Sequence, residues 1–416
     1  MLTFSVIGYG SRGKTYSDTV KLLQKDSVIA VCDPRPERLD MAKRDHGIDD
    51  SKLFTNEDDF FAKGKLSDIC IISTQDAQHH DHAIKAMNAG YDLLLEKPIA
   101  CTEEDVMDIY NTAKRLGRDI FVCHVLRYAP FFTFLKKEID SGKYGRVSTI
   151  NLTEHVGYFH QAHSFVRGNW GNTERSSPMI IAKCCHDIDL LIWLVGQKIK
   201  AVTSQGSLRL FKKENQPDGA ADRCTDCKYK ETCAYSAYDY YYNTRFKAGK
   251  YNWPLNVLVD EVTEENVLNA LEKGPYGRCA YTCDNTAVDH EVTNFLFEDG
   301  TTAHLTMTAF SKISRRDIYI HCEFGEISGS MEDNKIYCRV FCGEEKVLDV
   351  AELSKEISGF GHGGGDYFLI KDIIAKSNGE QTLGLTSIDN SVESHVVGFA
   401  AERSRLAEGE LQRINY

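Results

Sequence analysis

Short apolar runs alternate with amphipathic stretches through the first 125 residues. Val6-Ile7 ends one run, and others follow at Val28 to Cys32, Asp68 to Thr74, Tyr91 to Leu95 and Ile120 to Val125. Segments from the glycines at 8–13 to about Gln24, from His80 to Asn88 and from Glu103 to Leu116 read as helices. In the last of these Val106, Ile109, Tyr110, Ala113 and Leu116 recur at helical spacing, and Thr102 with Asp105 supplies a capping-box-like start. Strand and helix in alternation predict βαβ units, a parallel sheet wound on both faces, and a ligand at the carboxyl ends of the strands. Further on, Ser177-Pro178 starts a predicted helix from Met179 to Val195 that stops at Gly196. From Val292 the rhythm becomes one of strands, with turn signals at Glu298-Asp299-Gly300, Phe324-Gly325 and Asp333-Asn334, which predicts an antiparallel sheet.

The expected architecture is an α/β domain, a doubly wound parallel sheet, over residues 1–125. An α+β domain with a largely antiparallel sheet follows over 126–416 and ends in a C-terminal helix. A polar, strand-poor, cysteine-containing stretch at about 212–283 reads as an insertion into the second domain. A length of 416 residues suits two domains, and 42% hydrophobic residues suffice for a large core. A net charge of −12 without a long Lys/Arg run argues against nucleic acid or an anionic membrane as partner, and favours a small neutral or phosphate-bearing ligand. Apolar runs such as Leu190 to Val195 are too short to span a bilayer, and no basic segment follows Met1, so a cytoplasmic protein is expected.

Gly8-Tyr9-Gly10-Ser11-Arg12-Gly13 has the G-x-G-x-x-G spacing directly between a strand and a helix. Its glycines allow the tight turn, the approach of backbone to a pyrophosphate and close helix packing, and the helix amides face the phosphates. Asp33 lies 20 residues beyond Gly13 at the tip of the second strand, where a carboxylate accepts ribose hydroxyls. That favours NAD, although Arg35 and Arg38 would suit the 2′-phosphate of NADP. Two more strand tips carry polar groups: Ser73-Thr74-Gln75-Asp76 and Glu96-Lys97-Pro98.

Glu96-Lys97-Pro98, after the glycine motif and Thr74-x-Asp76-x-x-His79, resembles the glucose-fructose oxidoreductase and inositol dehydrogenase family, called Gfo/Idh/MocA. The resemblance continues through Arg127-Tyr128, Lys183-Cys-Cys-His186-Asp-Ile-Asp189 and the helix from Ser394-His395 to Glu402. It implies a Rossmann domain that binds NAD(P) through Gly8, Gly10, Ser11, Arg12, Gly13, Asp33, Thr74, Asp76, His79, Glu96 and Lys97. It also implies a sheet domain that holds a sugar or cyclitol and joins subunits into a homo-oligomer, a dimer or tetramer. Lys97 and His186 match the family's active-site lysine and histidine. Many members place an aspartate four residues before that histidine to orient it, whereas this chain has Ala182 there and Lys183 beside it.

On the predicted helix Lys183, His186 and Asp187 share one face, with Asp189 a turn further on. His186 is the expected proton carrier, with Lys97 lowering the pKa of the reacting hydroxyl and Lys183 as a second cation that keeps the imidazole neutral. In the alternative assignment Lys183 carries the proton. Candidate substrate contacts are Arg127, Asp187, the polar and aromatic stretch that opens on Glu154-His155 and holds His160, His163, Phe165, Arg167 and Trp170, and His362 in its glycine run. That stretch equally suits an ordinary loop folded over the helix. The expected reaction is hydride transfer between a ring hydroxyl of a sugar, polyol or glycoside and nicotinamide. The rivals are a glycosidase that uses NAD transiently, with no net NADH, and a cofactor-binding protein without turnover.

Cys32, Cys70, Cys101 and Cys123 look like small core residues, and Cys184 and Cys185 lie in the predicted helix. Cys224-x2-Cys227-x5-Cys233, with Cys279 or Cys283 as a fourth, could form a structural zinc site closing the insertion; spacing leaves an iron–sulfur cluster and free thiols open. Five tyrosines between Tyr235 and Tyr242, with Trp253 beyond them, form an aromatic patch suited to a sugar-site wall or an interface.

Overall fold

A computed structural model describes residues 1–354 and 361–415. The first sheet contains β1 (Phe4–Ile7), β2 (Val28–Cys32), β3 (Leu53–Phe54), β4 (Ile69–Ile72), β5 (Asp92–Leu95) and β6 (Ile120–Val122). Their order is β3-β2-β1-β4-β5-β6, all parallel, and the order reverses at β1 beside the glycine turn. Ligands bind at such a reversal in open α/β sheets.

Alternation along each strand buries both faces, which is why the sequence shows continuous apolar runs rather than apolar-polar alternation. Phe4, Val6, Ile69, Ile71 and Leu94 meet Tyr16 and Val20 of the helix Ser11–Leu23 and Leu39 and Ala42 of the helix Pro36–His46. Ile7, Cys70, Ile72, Leu93 and Leu95 face Ala83, Ala86 and Met87 of the helix His79–Asn88 and Val106, Ile109 and Ala113 of Glu103–Leu116. Thr102 caps that last helix as its spacing predicts, its hydroxyl accepting the Asp105 amide at 3.1 Å.

The parallel strands end near residue 125, but the core they build does not. Leu369, Ile370 and Ile373 of the helix Gly365–Ser377 pack into the same cluster as Phe4 and Tyr16, so the end of the chain returns to cover the first sheet.

The second sheet contains β7 (Val147–His155), β8 (Ile199–Ser207), β9 (His290–Phe297), β10 (Thr302–Thr308), β11 (Arg315–Cys322), β12 (Gly325–Ser330), β13 (Lys335–Val340), β14 (Glu345–Asp349) and β15 (Gln412–Arg413). The order is β14-β13-β12-β11-β7-β10-β9-β8-β15, antiparallel except for the pair β7 and β10. Its inward residues meet the helices Cys185–Val195 and Ile388–Leu406, while Asn294, His304 and Tyr319 lie on the other face. Among the described residues no helix is long and apolar enough to cross a membrane.

Antiparallel neighbours can be joined by a two-residue turn. Between β8 and β9 the chain instead makes an excursion over residues 208–289, somewhat wider than the predicted insertion. It carries its own small core of Ala237, Tyr241, Tyr242, Leu255, Val267 and Leu271 with Cys224.

The predicted continuous helix from Met179 to Val195 is two helices, Met179–Ala182 and Cys185–Val195, broken at Lys183 and Cys184. The break leaves the Ala182 carbonyl at a helix end, where Lys97 Nζ donates to it at 3.1 Å.

Candidate functional site

The glycine turn is built for close approach. Gly8 has φ +90°, and a Cβ there would meet the Ser73 carbonyl oxygen at 2.8 Å; a Cβ at Gly13 would lie 2.2 Å from the Gly8 oxygen. A Cβ on Gly10 would meet nothing within 4 Å, so space opens at the head of the helix. No side chain caps that helix and its first turn carries no acid, which leaves its amides for an anion. This observation fits the residues to a dinucleotide pyrophosphate.

Asp33 is 2% exposed and accepts four hydrogen bonds: the Tyr9 amide at 2.8 Å, and the Arg35 amide, Nε and Nη2 at 3.0, 3.0 and 3.2 Å. Ribose hydroxyls can reach it only if the half-exposed Arg35 side chain swings out. Arg38 is ion-paired to Asp260 of the excursion.

Arg12 is a clamp between the two ends of the chain. Its Nε donates to Glu96 at 2.6 Å, its Nη2 to Asp366 at 2.6 Å, and its guanidinium lies over the Tyr16 ring. Burial pushes the Asp366 carboxyl up, but Arg12 and His362 outweigh it and hold the group well below the carboxylate range. Glu96 also accepts the Lys97 amide at 2.8 Å, which sets the strand tip. His79 is buried, its Nδ1 against the Pro98 carbonyl at 2.7 Å and its Nε2 3.3 Å from the Thr74 carbonyl. Thr74 bonds His82 at 3.1 Å. Arg12, His79 and Thr74 thus fix the strand tips that a cofactor would meet.

Asp76 accepts the Trp170 indole N–H at 2.8 Å and lies 3.4 Å from the Ser177 hydroxyl. Burial raises its pKa despite His79 and Lys97. Trp170 is therefore pinned to the first domain.

His186 is 6% exposed and forms no side-chain hydrogen bond among the described residues; its Nδ1 is fully buried. Burial first, then the charges of Lys97, His124, Arg316 and His362, hold its pKa well below the histidine value, so the imidazole is neutral at pH 7. Lys183, expected to have that effect, instead turns to Glu154 at 3.2 Å. The partner expected on the neighbouring turn, Asp189, also lies elsewhere, in a two-pronged ion pair with Arg127 at 2.7 Å. Arg127 and Asp189 are both buried and tie the second domain's helix to the chain after β6, a structural placement for Arg127 rather than the expected substrate contact. The His124 ring lies 5.6 Å from that of His186 and the His362 ring 6.3 Å. His362 itself bonds Asp366 at 3.0 Å.

Asp187, expected as a substrate contact, is fully buried and accepts Arg316 Nε at 2.7 Å. Burial lifts its pKa to about 6, with Arg316 opposing and Glu154 adding to the rise. Arg316 also pairs with Glu154 at 2.8 Å, completing a chain Lys183–Glu154–Arg316–Asp187 that holds Lys183 in place. The sequence places Glu154 only at the head of the candidate substrate stretch and gives Arg316 no role. The signal was in the strand register: Glu154 follows Ile150 and Leu152, and Arg316 precedes Ile318 and Ile320, so each is a charge in a row of inward apolar residues.

The polar and aromatic stretch divides. Wide π-type turns form Gln161–Arg167. His163 is 2% exposed, bonded to Tyr241 at 2.7 Å and stacked on Tyr276; Arg167 donates to the carbonyls of Arg278 at 2.7 Å and Tyr235 at 2.6 Å. Phe165 is 3% exposed and packs between His160 and Trp170. His163 and Arg167 anchor the excursion, and Phe165 packs into the main core, so all three are buried. His160 stays at the site: burial, then Lys183, His163 and Lys97, depress its pKa, and its ring meets Trp253 edge-on at 4.8 Å. Trp253 also meets Phe159, and Phe159 stacks on Tyr240. The aromatic patch of the excursion therefore forms a wall beside His160.

Strand order, glycine turn and the lysine at the tip of β5 define a Rossmann-type dinucleotide-binding protein with a sheet domain that brings a buried histidine to that lysine. Sequence comparison agrees. The chain belongs to the Gfo/Idh/MocA oxidoreductase family: the family's NAD-binding Rossmann-fold profile matches residues 2–124 and its C-terminal alpha/beta profile residues 136–242. Inositol 2-dehydrogenase of Streptomyces avermitilis is 29% identical over 229 residues, 53% of this chain and 60% of that one. The 1-carboxy-3-chloro-3,4-dihydroxycyclohexa-1,5-diene dehydrogenase of Comamonas testosteroni is 27% identical over 209 residues, 49% of this chain and 50% of that one. The chain thus spans about half the length of these curated relatives in its match. A levoglucosan dehydrogenase, solved with NADH and levoglucosan, shares the fold over the full length of both chains, with a TM-score of 0.71 at 18% identity.

Proposed function

We propose that the protein is an NAD-dependent dehydrogenase of a secondary alcohol on a sugar, polyol or glycoside. The observation that carries this reading is His186, neutral and without a hydrogen-bond partner among the described residues, held beside the Lys97 charge at the tip of β5. Bound along the glycine turn, the cofactor would accept a hydride from the carbinol carbon. Lys97 lowers the pKa of the substrate hydroxyl by its charge, and His186 takes the proton that the hydroxyl releases. Lys183, held by Glu154, adds positive charge, and Trp253, Phe159 and His160 offer apolar faces to the C–H bonds of a ring. Relatives described as dehydrogenases of inositol and of levoglucosan support the substrate class.

Asp33 and the Arg38–Asp260 pair favour NAD over NADP, because a 2′-phosphate would meet two carboxylates whose neighbouring arginines, Arg35 and Arg38, are already engaged by them. Asp33→Ala is expected to weaken NAD binding by roughly 10- to 100-fold, the loss of hydrogen bonds to a charged group, with a smaller effect on NADP. Cofactor titration by fluorescence measures both.

The reading is tested by incubating the enzyme with a panel of polyols, monosaccharides and glycosides while following NADH absorbance and released sugar. NADH without cleavage is the expected result. Cleavage without NADH would instead establish the transient use of NAD in glycoside hydrolysis.

A further inference from the structure

The excursion over residues 208–289 has few buried apolar side chains to hold some 80 residues together. Small units of that kind need a second source of closure. At its root Cys224, Cys227, Cys233 and Cys279 line one cavity of about 20 Å³. Three of the four are buried. Cys227 follows Cys224 in a tight turn, its amide donating to the Cys224 carbonyl at 3.4 Å. Cys279 arrives from 55 positions away on a short antiparallel bridge: the Cys224 amide donates to the Gly277 carbonyl at 2.9 Å and the Cys279 amide to the Asp222 carbonyl at 2.8 Å.

The surroundings of the sulfurs suit negative charge. The Ala237 amide donates to Cys224 Sγ at 3.3 Å, and Gln216 Nε2 lies 3.7 Å from Cys279 Sγ. The buried guanidinium of Arg167 lies 3.8 Å from Cys224 Sγ. Donors aimed at sulfur and a nearby cation are what a set of metal-bound thiolates requires. Cys283 is set apart from these four: it does not line the cavity, and its thiol turns to the Cys279 carbonyl at 3.3 Å.

We propose that Cys224, Cys227, Cys233 and Cys279 bind a thiophilic metal centre as four thiolates, which closes the root of the excursion. Binding releases the four thiol protons, and Arg167 offsets part of the remaining negative charge. Two kinds of centre take four thiolates: a single Zn²⁺, and a four-iron, four-sulfide cluster. Tetrahedral zinc with bonds of about 2.3 Å brings its sulfurs to about 3.8 Å from one another. No three of these sulfurs lie within 4.8 Å of one another, so zinc draws the cysteines inward by side-chain rotation, whereas a cluster takes them further apart. Among the described residues the group of three potential ligands that does lie within 4.8 Å is Asp18, Asp45 and His46. Lys14 already pairs with both of its carboxylates, at 3.0 and 2.6 Å.

The test is elemental analysis of the full-length protein, expressed with zinc and iron supplied and purified without chelator or oxygen. About one zinc per chain, or about four irons with four acid-labile sulfides, is expected, and the count distinguishes the two centres. Cys227→Ser and Cys279→Ser lose the metal, while Cys283→Ser keeps it. Because a ligand variant can fail to fold, thiol titration of the native wild-type protein supplies a second reading: the number of reactive thiols rises by about four when a chelator is added, above the cysteines that stay buried in the core. Less than about a tenth of an equivalent of either metal after reconstitution with Zn²⁺ or with iron and sulfide would overturn the proposal. So would loss of metal in Cys283→Ser with full retention in Cys279→Ser.

Discussion

Replacing Lys97 with methionine is expected to lower kcat by about 1,000-fold while leaving NAD affinity within a few-fold of wild type. Methionine keeps most of the apolar stem and removes only the ammonium, whose Nζ sits on the Ala182 carbonyl and whose charge weighs on His186. The residual activity should carry a second mark. Lys97 is the foremost charge that depresses the His186 pKa, so its removal raises that pKa. The protonated imidazole, which cannot act as a base, then persists to higher pH, and the acid limb of the kcat profile moves upward. Steady-state kinetics across pH with a separate cofactor titration measure both effects. A kcat within tenfold of wild type would remove Lys97 from the chemistry.

Arg127→Met is expected to act on stability rather than on the reaction. Its guanidinium grips Asp189 with two bonds of 2.7 Å, and both side chains are buried. Removing one partner leaves an uncompensated buried carboxylate, which costs about 3–5 kcal/mol. In a protein of this size that corresponds to a fall in Tm of roughly 3–6 °C. The double variant Arg127→Met/Asp189→Leu should recover much of the loss, because two apolar residues replace the pair without stranding a charge. Thermal unfolding of the three proteins decides the point. At a temperature where all remain folded, kcat/KM should change by less than about threefold. A large rise in KM with unchanged Tm would return Arg127 to the substrate-binding role that its sequence neighbourhood suggests.

The parts of the molecule legible in the sequence are those set by local pattern. The strands of the first sheet, the glycine turn, the Thr102 cap and the tips at Asp33, Asp76 and Lys97 all follow from apolar runs and fixed spacings. What escaped depends on contacts far apart in the chain. Leu369 and Ile370 complete the core of the first sheet more than 360 residues after Phe4, and no periodicity within either segment announces that meeting. The helix around His186 reads as continuous, yet it breaks at Lys183, where a lysine from another domain meets the exposed carbonyl. His163 and Arg167 have the composition of a sugar-binding loop, but a long excursion supplies their partners and buries them. Arg316 and Glu154 were detectable in principle, since a charge in an inward register demands a partner.

In the proposed reaction, hydride passes between a ring carbon of the substrate and nicotinamide beside Lys97 and His186. Its most direct test is a single-turnover reaction of the NAD-loaded enzyme with ring-deuterated polyols and sugars, quenched early and read by mass spectrometry of the recovered cofactor. Deuterium on the nicotinamide, together with the rise in NADH absorbance, is the expected result. Turnover of a substrate with all its deuterium retained on carbon and no label in the cofactor would contradict it.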